Sequence, residues 1–224
     1  MAVGKLQVLS RITESGLVAI VRSDDSATAS HIVEACAQGG ATAVEITFTV
    51  PAAAAVIEEL ARRYPADQIA LGAGTVLDPE TARIAILAGA QFVVSPSLSS
   101  DTARLCNRYQ IPYLPGASTI REIVEAMESG ADIIKIFPGE TLGPAFVKAA
   151  RAPLPQASLM PTGGVSIDNA GEWIAAGSVA LGVGGHLTAG AKTGDFKSIT
   201  HLAGRFIAAI REARGRNIAR GNSV

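Results

Sequence analysis

A single lysine, Lys135, interrupts the apolar run Ile133-Ile134-Lys135-Ile136-Phe137-Pro138. A strand this rich in branched aliphatics is expected to be buried on both faces, as strands of parallel sheets are. A cation there is costly unless it is neutralised or paired. Desolvation lowers an amine's pKa and leaves part of it neutral, the form that attacks a carbonyl carbon and forms a Schiff base. The plainer alternative is a lysine paired with one carboxylate to fix register, although buried ion pairs stabilise a fold poorly. The stretch Ala43-Val44-Glu45-Ile46-Thr47-Phe48-Thr49 has a similar character. Alternation sends Val44, Ile46 and Phe48 to one face, so Glu45, Thr47 and Thr49 share the other.

Further polar groups stand at the ends of other apolar runs: Arg22, Thr75 after Gly72-Ala73-Gly74, and Thr162. Taken singly, Glu45 could be a salt-bridge partner for Lys135, and Arg22 a cap on a nearby loop. Together they place an amine, a carboxylate, a guanidinium and several hydroxyls where a packed interior otherwise favours Val, Ile and Leu. Two glycine-rich stretches follow the last two apolar runs, Thr162-Gly163-Gly164-Val165 and Gly182-Val183-Gly184-Gly185. Backbone N–H groups bare of side chains can wrap an anion, and a Cβ would block that approach. Tight turns closing the fold are the structural alternative.

One rhythm positions these groups: a short β-rich run, a turn, an amphipathic segment, then Gly or Gly-Ala. Strands are expected at 17–22, 43–48, 69–73, 92–95, 113–115, 133–137, 159–162 and 180–183. Helical periodicity fills the gaps, as in Ala29-Ile32-Val33-Cys36 and Val56-Ile57-Leu60. Gly39-Gly40, Gly89, Gly130 and Gly177 stand where helices need a left-handed terminator. Asp78-Pro79-Glu80 and Ser118-Thr119-Ile120-Arg121-Glu122 have the caps and early acids of helix starts.

Eight strand–helix units without a Pro/Gly/Ser-rich linker predict an α/β protein whose residues 1–224 form one (β/α)8 TIM barrel, with a short N-terminal helix and a frayed tail from about residue 215. The competing open doubly wound sheet usually has a Gly-rich first turn, whereas Arg22-Ser23-Asp24-Asp25 stands here. In a barrel, functional groups collect at the C-terminal strand ends, and loops after strands seven and eight seat phosphate.

Composition narrows the partners. The 224 residues are 48% hydrophobic with net charge -1, which excludes disorder and gives no electrostatic reason to expect nucleic acid or an anionic membrane. The late cluster Arg205, Arg211, Arg214, Arg216 and Arg220 reads as a solvated final helix. Cys36 and Cys106 are too few for a disulfide framework or metal motif, and neither an export signal nor a membrane span is visible. A cytoplasmic protein is expected. His31, His186 and His201 are the only histidines, and no metal or other cofactor is expected.

Six motifs in order, Glu45-Ile46-Thr47, Gly72-Ala73-Gly74-Thr75-Val76, Phe92-Val93-Val94-Ser95-Pro96, Tyr113-Leu114-Pro115-Gly116, Lys135-Ile136-Phe137-Pro138 and Pro161-Thr162-Gly163-Gly164, resemble the bacterial KDPG/KHG aldolases. The resemblance implies a class I aldolase that releases pyruvate and an aldehyde from 2-keto-3-deoxy-6-phosphogluconate or 4-hydroxy-2-oxoglutarate. It makes Lys135 the Schiff-base lysine and Glu45 the proton-shuttling acid/base. It makes Thr75 the carboxylate-binding residue, and Pro96 and Phe137 pocket walls. Thr162, Gly163 and Gly164 would hold the substrate's far end, while Thr47, Gly184 and Gly185 are expected at the site from the residue pattern rather than from the resemblance. It further implies a homotrimer. Two positions depart from some members: Thr49 replaces an arginine, leaving Arg22 to clamp the carboxylate, and His186 replaces a phosphate-binding serine. Rival expectations are a sugar-phosphate isomerase or epimerase barrel without a covalent lysine, and a non-catalytic metabolite-binding barrel.

Overall fold

The computed structural model describes residues 4–65 and 67–219. Its strands are β1 (Leu17–Val21), β2 (Ala43–Thr47), β3 (Ala70–Gly74), β4 (Phe92–Val94), β5 (Tyr113–Leu114), β6 (Gly116–Ala117), β7 (Ile134–Ile136), β8 (Leu159–Pro161) and β9 (Leu181–Val183). The helices are α1 (Lys5–Ser15), α2 (Ser26–Gln38), α3 (Ala53–Arg63), α4 (Pro79–Leu87), α5 (Ser100–Tyr109), α6 (Ile120–Glu128), α7 (Gly139–Arg151), α8 (Ala170–Ala175), α9 (Gly185–Thr188) and α10 (Phe196–Ala219), with a 3-10 turn at Ala189–Thr193. The fold is α/β, as expected, and every strand pair is parallel.

The strands form two ladders rather than the expected uninterrupted eight. One has the order β5-β4-β3-β2-β1-β9 and the other β6-β7-β8. Pro115 is the reason for the extra strand: lacking an N–H, it breaks the fifth expected strand into β5 and β6. The same run nonetheless serves both ladders. Tyr113 and Leu114 pair with β4, while Lys135 and Phe137 donate to the carbonyls of Pro115 and Ala117 at 2.9 and 3.1 Å. On the opposite side a parallel bridge, Thr162 to Gly182, joins the end of β8 to β9.

Helix starts follow the predicted chemistry. Asp78 accepts from Thr81 N at 2.6 Å, and Thr119 and Glu122 form a reciprocal capping box. An outer apolar layer packs the strands against the helices and includes Val44, Ile46, Ile134 and Ile136. A second, inner cluster joins Val18, Ala43, Ala70, Phe92, Val94, Leu114, Ile133 and Met160 to Val8 and Ile12 of α1. Helix α1 therefore plugs the N-terminal end of the strands, and Lys5 pins it there through a 2.6 Å ion pair to Asp132. Burying Val8 and Ile12 contributes about 1.5–3 kcal/mol each.

Of the late arginines, Arg205, Arg211 and Arg216 are exposed, as expected of a solvated face, and Arg214 is the exception among the described residues. Arg214 is partly buried, and its guanidinium donates to the carbonyls of Glu14 (2.8 Å), Thr13 (2.7 Å) and Val179 (2.7 Å). It clasps the end of α1 to the approach to β9. Helix α10 continues to Ala219 where a frayed tail was expected, and Arg220 lies outside the described residues. No helix among the described residues is long and apolar enough to cross a membrane.

Candidate active site

Strand β2 carries Glu45 in register with Ile20 of β1 and Gly72 of β3, on the face away from Val44 and Ile46. Its carboxylate leans across Gly74: an ideal Cβ built there would overlap Oε1, Cδ and Cγ of Glu45. The neighbouring Gly72 is filled differently, by the ring of Phe92. Glycines inside β3 thus mark close approach by side chains from adjacent strands. Glu45 is 0% exposed, and neither carboxylate oxygen has a hydrogen-bond partner. Burial pushes its carboxyl above the usual range, while the charges of Lys135 and, less, Arg22 oppose that shift.

Lys135 is equally enclosed, at 3% exposed, on a strand whose neighbours present Gly116 and Met160 in register. A Cβ on Gly116 would collide with the carbonyl of Pro96, so that glycine lets the chain after β4 come close to β6, the neighbour of β7. Burial lowers the Lys135 amine, the Glu45 charge partly restores it, and Arg22 lowers it further. Its Nζ lies 5.0 Å from the centroid of the Phe137 ring. A buried amine of lowered pKa beside a buried carboxyl of raised pKa can supply a nucleophile and a proton carrier at one place.

Phe137 opens onto a cavity of about 560 Å³ lined also by Ile20, Arg22, Thr162, Gly163, Gly164, Gly184 and Gly185. Glu45 and Lys135 are not part of its wall, but two of its lining residues act on them: the Phe137 ring stands beside Lys135, and the charge of Arg22 acts on both. The Thr162 hydroxyl rests over Gly182, buried and without a hydrogen-bond partner. Gly163 and Gly164 have φ of +94° and +67°, values that side-chain-bearing residues rarely adopt.

Three further expected residues have different surroundings. Thr47 is fully buried, and its hydroxyl is engaged with the Val21 carbonyl (3.0 Å) and Thr49 Oγ1 (2.7 Å), tying β2 to β1. Thr75 follows β3 with φ +57°, a costly backbone for a β-branched residue and of the kind that clusters at functional sites. Pro96 is half-buried beside Gly116. Sequence reasoning missed the roles of Gly72, Gly74 and Gly182, because alternation does not reveal which neighbour leans over a bare backbone. It also missed Lys192, which lines the cavity with His186.

Cys36 and Cys106 are buried in α2 and α5, with thiols pushed up to about 12 by burial. Among the described residues no group of three or more His, Cys, Asp or Glu side chains is placed to hold a metal ion.

Comparison with known proteins agrees with this geometry. The family described as "Aldolase: KDPG and KHG aldolase" matches residues 8–202. The chain is 37% identical over 173 residues to a 2-dehydro-3-deoxy-phosphogluconate aldolase of Pseudomonas aeruginosa, covering 77% of each. It is 34% identical over 202 residues to a 2-dehydro-3-deoxy-6-phosphogalactonate aldolase of Escherichia coli, covering 90% of this chain and 97% of the relative. Among solved structures, a KDPG aldolase of Legionella pneumophila, with pyruvate captured at low pH as a covalent carbinolamine intermediate, superposes with TM-score 0.81 at 26% identity, covering 88% of this chain and 96% of that one. By these matches, with which the buried Lys135 and Glu45 are in keeping, the chain belongs to the KDPG and KHG aldolase family.

Proposed function

We propose that the chain is a class I aldolase that cleaves a 2-keto-3-deoxy-6-phospho sugar acid, 4-hydroxy-2-oxoglutarate, or both, to pyruvate and an aldehyde. The observation that carries this reading is the buried Lys135 amine, held below its ordinary pKa and within the electrostatic reach of an unpartnered Glu45. Neutral Lys135 attacks C2 of the keto acid, forming an N–C bond and a carbinolamine. Loss of water gives an iminium. Glu45 takes the C4 hydroxyl proton, the C3–C4 electrons move to the iminium nitrogen, and the aldehyde leaves. The enamine is then protonated at C3, and water hydrolyses the iminium to release pyruvate and free the lysine. Arg22 and Thr75 orient the carboxylate, Phe137 and Pro96 wall the pocket, and Thr162, Gly163, Gly164, Gly184 and Gly185 receive the far end.

On the same reading the two ladders form one closed (β/α)8 barrel and a single domain. The Thr162–Gly182 bridge and the continuous run through Pro115 support that closure. The site works in a homotrimer, supported by exposed apolar side chains at Leu77, Ile84 and Leu87 and by likeness to a cage designed by fusing symmetric oligomeric domains (TM-score 0.83, 32% identity, 92% of this chain and 76% of that one). Two buried thiols suit a reducing cytoplasm.

Borohydride reduction in the presence of pyruvate tests the chemistry. A covalent adduct on the Lys135 peptide is expected; an unmodified Lys135 peptide would remove the Schiff-base role and favour an isomerase or binding barrel.

A further inference from the structure

We propose that Tyr113 is a positioning residue for the Schiff-base chemistry: its hydroxyl holds the segment from Ser95 to Ser99 from behind and thereby fixes Pro96 against the strand beside Lys135. This rests on the aldolase reading above. Strand β5 carries Tyr113 in register with Val93 of β4, and both belong to the outer apolar layer, while Leu114 and Val94 belong to the inner one. The ladder runs on past β4, since Ser95 N donates to the Leu114 carbonyl at 3.2 Å. Alternation then sends Ser95 outward with Val93, where its hydroxyl meets the phenol. The next residue, Pro96, lies against Gly116, where a Cβ would collide with its carbonyl.

One phenol oxygen gathers alternate residues of this segment. Ser95 Oγ lies 2.7 Å from it, Ser99 N donates to it at 3.1 Å, and it reaches the Ser97 carbonyl at 3.2 Å. Ser95 Oγ also donates to the Ser97 carbonyl. The two hydroxyl protons are shared out accordingly: one lies between the two oxygens, and the other goes to the Ser97 carbonyl. Tyr113 is 3% exposed and Ser95 1%, so water competes poorly for these bonds and their loss is costly. Burial pushes the phenol above its ordinary pKa range, which keeps its proton in place. The far end of the segment is anchored too, because Ser99 caps α5 by accepting from Thr102 N at 3.2 Å.

What the clasp holds lies beside the reacting amine. Gly116 is the register partner of Lys135, and Lys135 N donates to the Pro115 carbonyl at 2.9 Å. Slack in the segment therefore reaches the surroundings of the amine across one bare backbone contact. The end of β4 is coupled to the preceding loop as well: Val76 N donates to the Val94 carbonyl at 3.2 Å, one residue after Thr75 and its left-handed backbone. Tyr113 thus braces Pro96 directly and Thr75 through β4. It does not line the cavity, so it acts through these residues and not on substrate.

Tyr113→Phe removes the hydroxyl and keeps the ring in its packing. Well below the melting temperature, kcat for pyruvate release should fall about tenfold, short of the roughly 100-fold cost of a full 1 Å misplacement, with KM changed less than about threefold. Ser95→Ala should show the same pattern and decides the matter alone if Tyr113→Phe does not fold. The double variant should lose little more than either single one, because both act through one network. A lowered melting temperature with kcat unchanged makes the phenol a structural tie only and overturns the proposal. A KM rise with kcat unchanged overturns it too, since that is the mark of uniform binding, and so do losses that multiply in the double variant. Failure of wild-type Lys135 to trap pyruvate sinks the aldolase reading. Intact trapping with unchanged kcat in Tyr113→Phe sinks only the positioning role.

Discussion

Replacing Gly74 by alanine should separate catalysis from stability. Gly74 has no positive φ, so its backbone accepts alanine, but the new methyl group occupies the place of the Glu45 carboxyl. The glutamate side chain must swing away because it is the movable partner. A rotamer displaced by about 30° costs about 0.5–1.5 kcal/mol, and the gain from replacing a strand glycine offsets part of that. For a chain of this size the melting temperature should fall by no more than about 6 °C. Catalysis should suffer far more. Moving a catalytic group by about 1 Å costs about 100-fold, within the 10²- to 10⁴-fold typically contributed by a positioned proton carrier. Pyruvate release coupled to lactate dehydrogenase gives kcat, and circular dichroism gives the melting temperature. Gly72→Ala is the matched control: its methyl group strikes the fully buried Phe92 ring, and overpacking of that kind costs about 1–3 kcal/mol. It should lower melting more and kcat less. A Gly74→Ala enzyme with kcat within about threefold of wild type, or the same two-assay pattern for both variants, would refute the idea that a bare backbone seats the acid.

Two charge changes should move the pH profile of Lys135 modification by pyruvate and cyanoborohydride in opposite directions. Glu45 raises the amine's pKa, so Glu45→Gln should shift the acid limb to lower pH; Arg22 lowers it, so Arg22→Gln should shift that limb to higher pH. Shifts of the same sign would contradict the electrostatic reading. At the exposed apolar strip, Leu87→Asp should convert a trimer to monomers in light scattering without a large change in melting temperature, since Leu87 is 68% exposed within one chain; an unchanged mass would exclude that strip from the interface.

Glu45 and Lys135 were legible because each is a costly exception in an apolar strand, and the exception survives without any knowledge of the neighbouring strands. Strand positions were legible for the same reason, through apolar runs punctuated by glycine. What periodicity could not reveal was anything decided between strands. It gave no sign that Glu45 lies over Gly74, that Thr162 lies over Gly182, or that Pro115 divides one strand between two ladders. Thr75 was visible as a hydroxyl, but its left-handed backbone was not, because nothing local in Gly74-Thr75-Val76 demands it. Lys192 looked like any lysine in a polar loop, and Arg214 like one more charge on a solvated helix. Both acquire meaning only from segments distant in sequence.

The Arg214 clasp has a consequence for biosynthesis. Its carbonyl partners, Thr13 and Glu14, leave the ribosome some 200 residues ahead of it. During translation the end of the first helix has its Gly16 cap at once, but it waits some 200 residues for the guanidinium that clasps it. Pairings this distant in sequence form slowly, so a nascent chain stalled short of that arginine would leave the early helix loosely seated and be a natural client for chaperones. Ribosome-bound chains ending just before and just after residue 214 should differ sharply in protease resistance near residue 14.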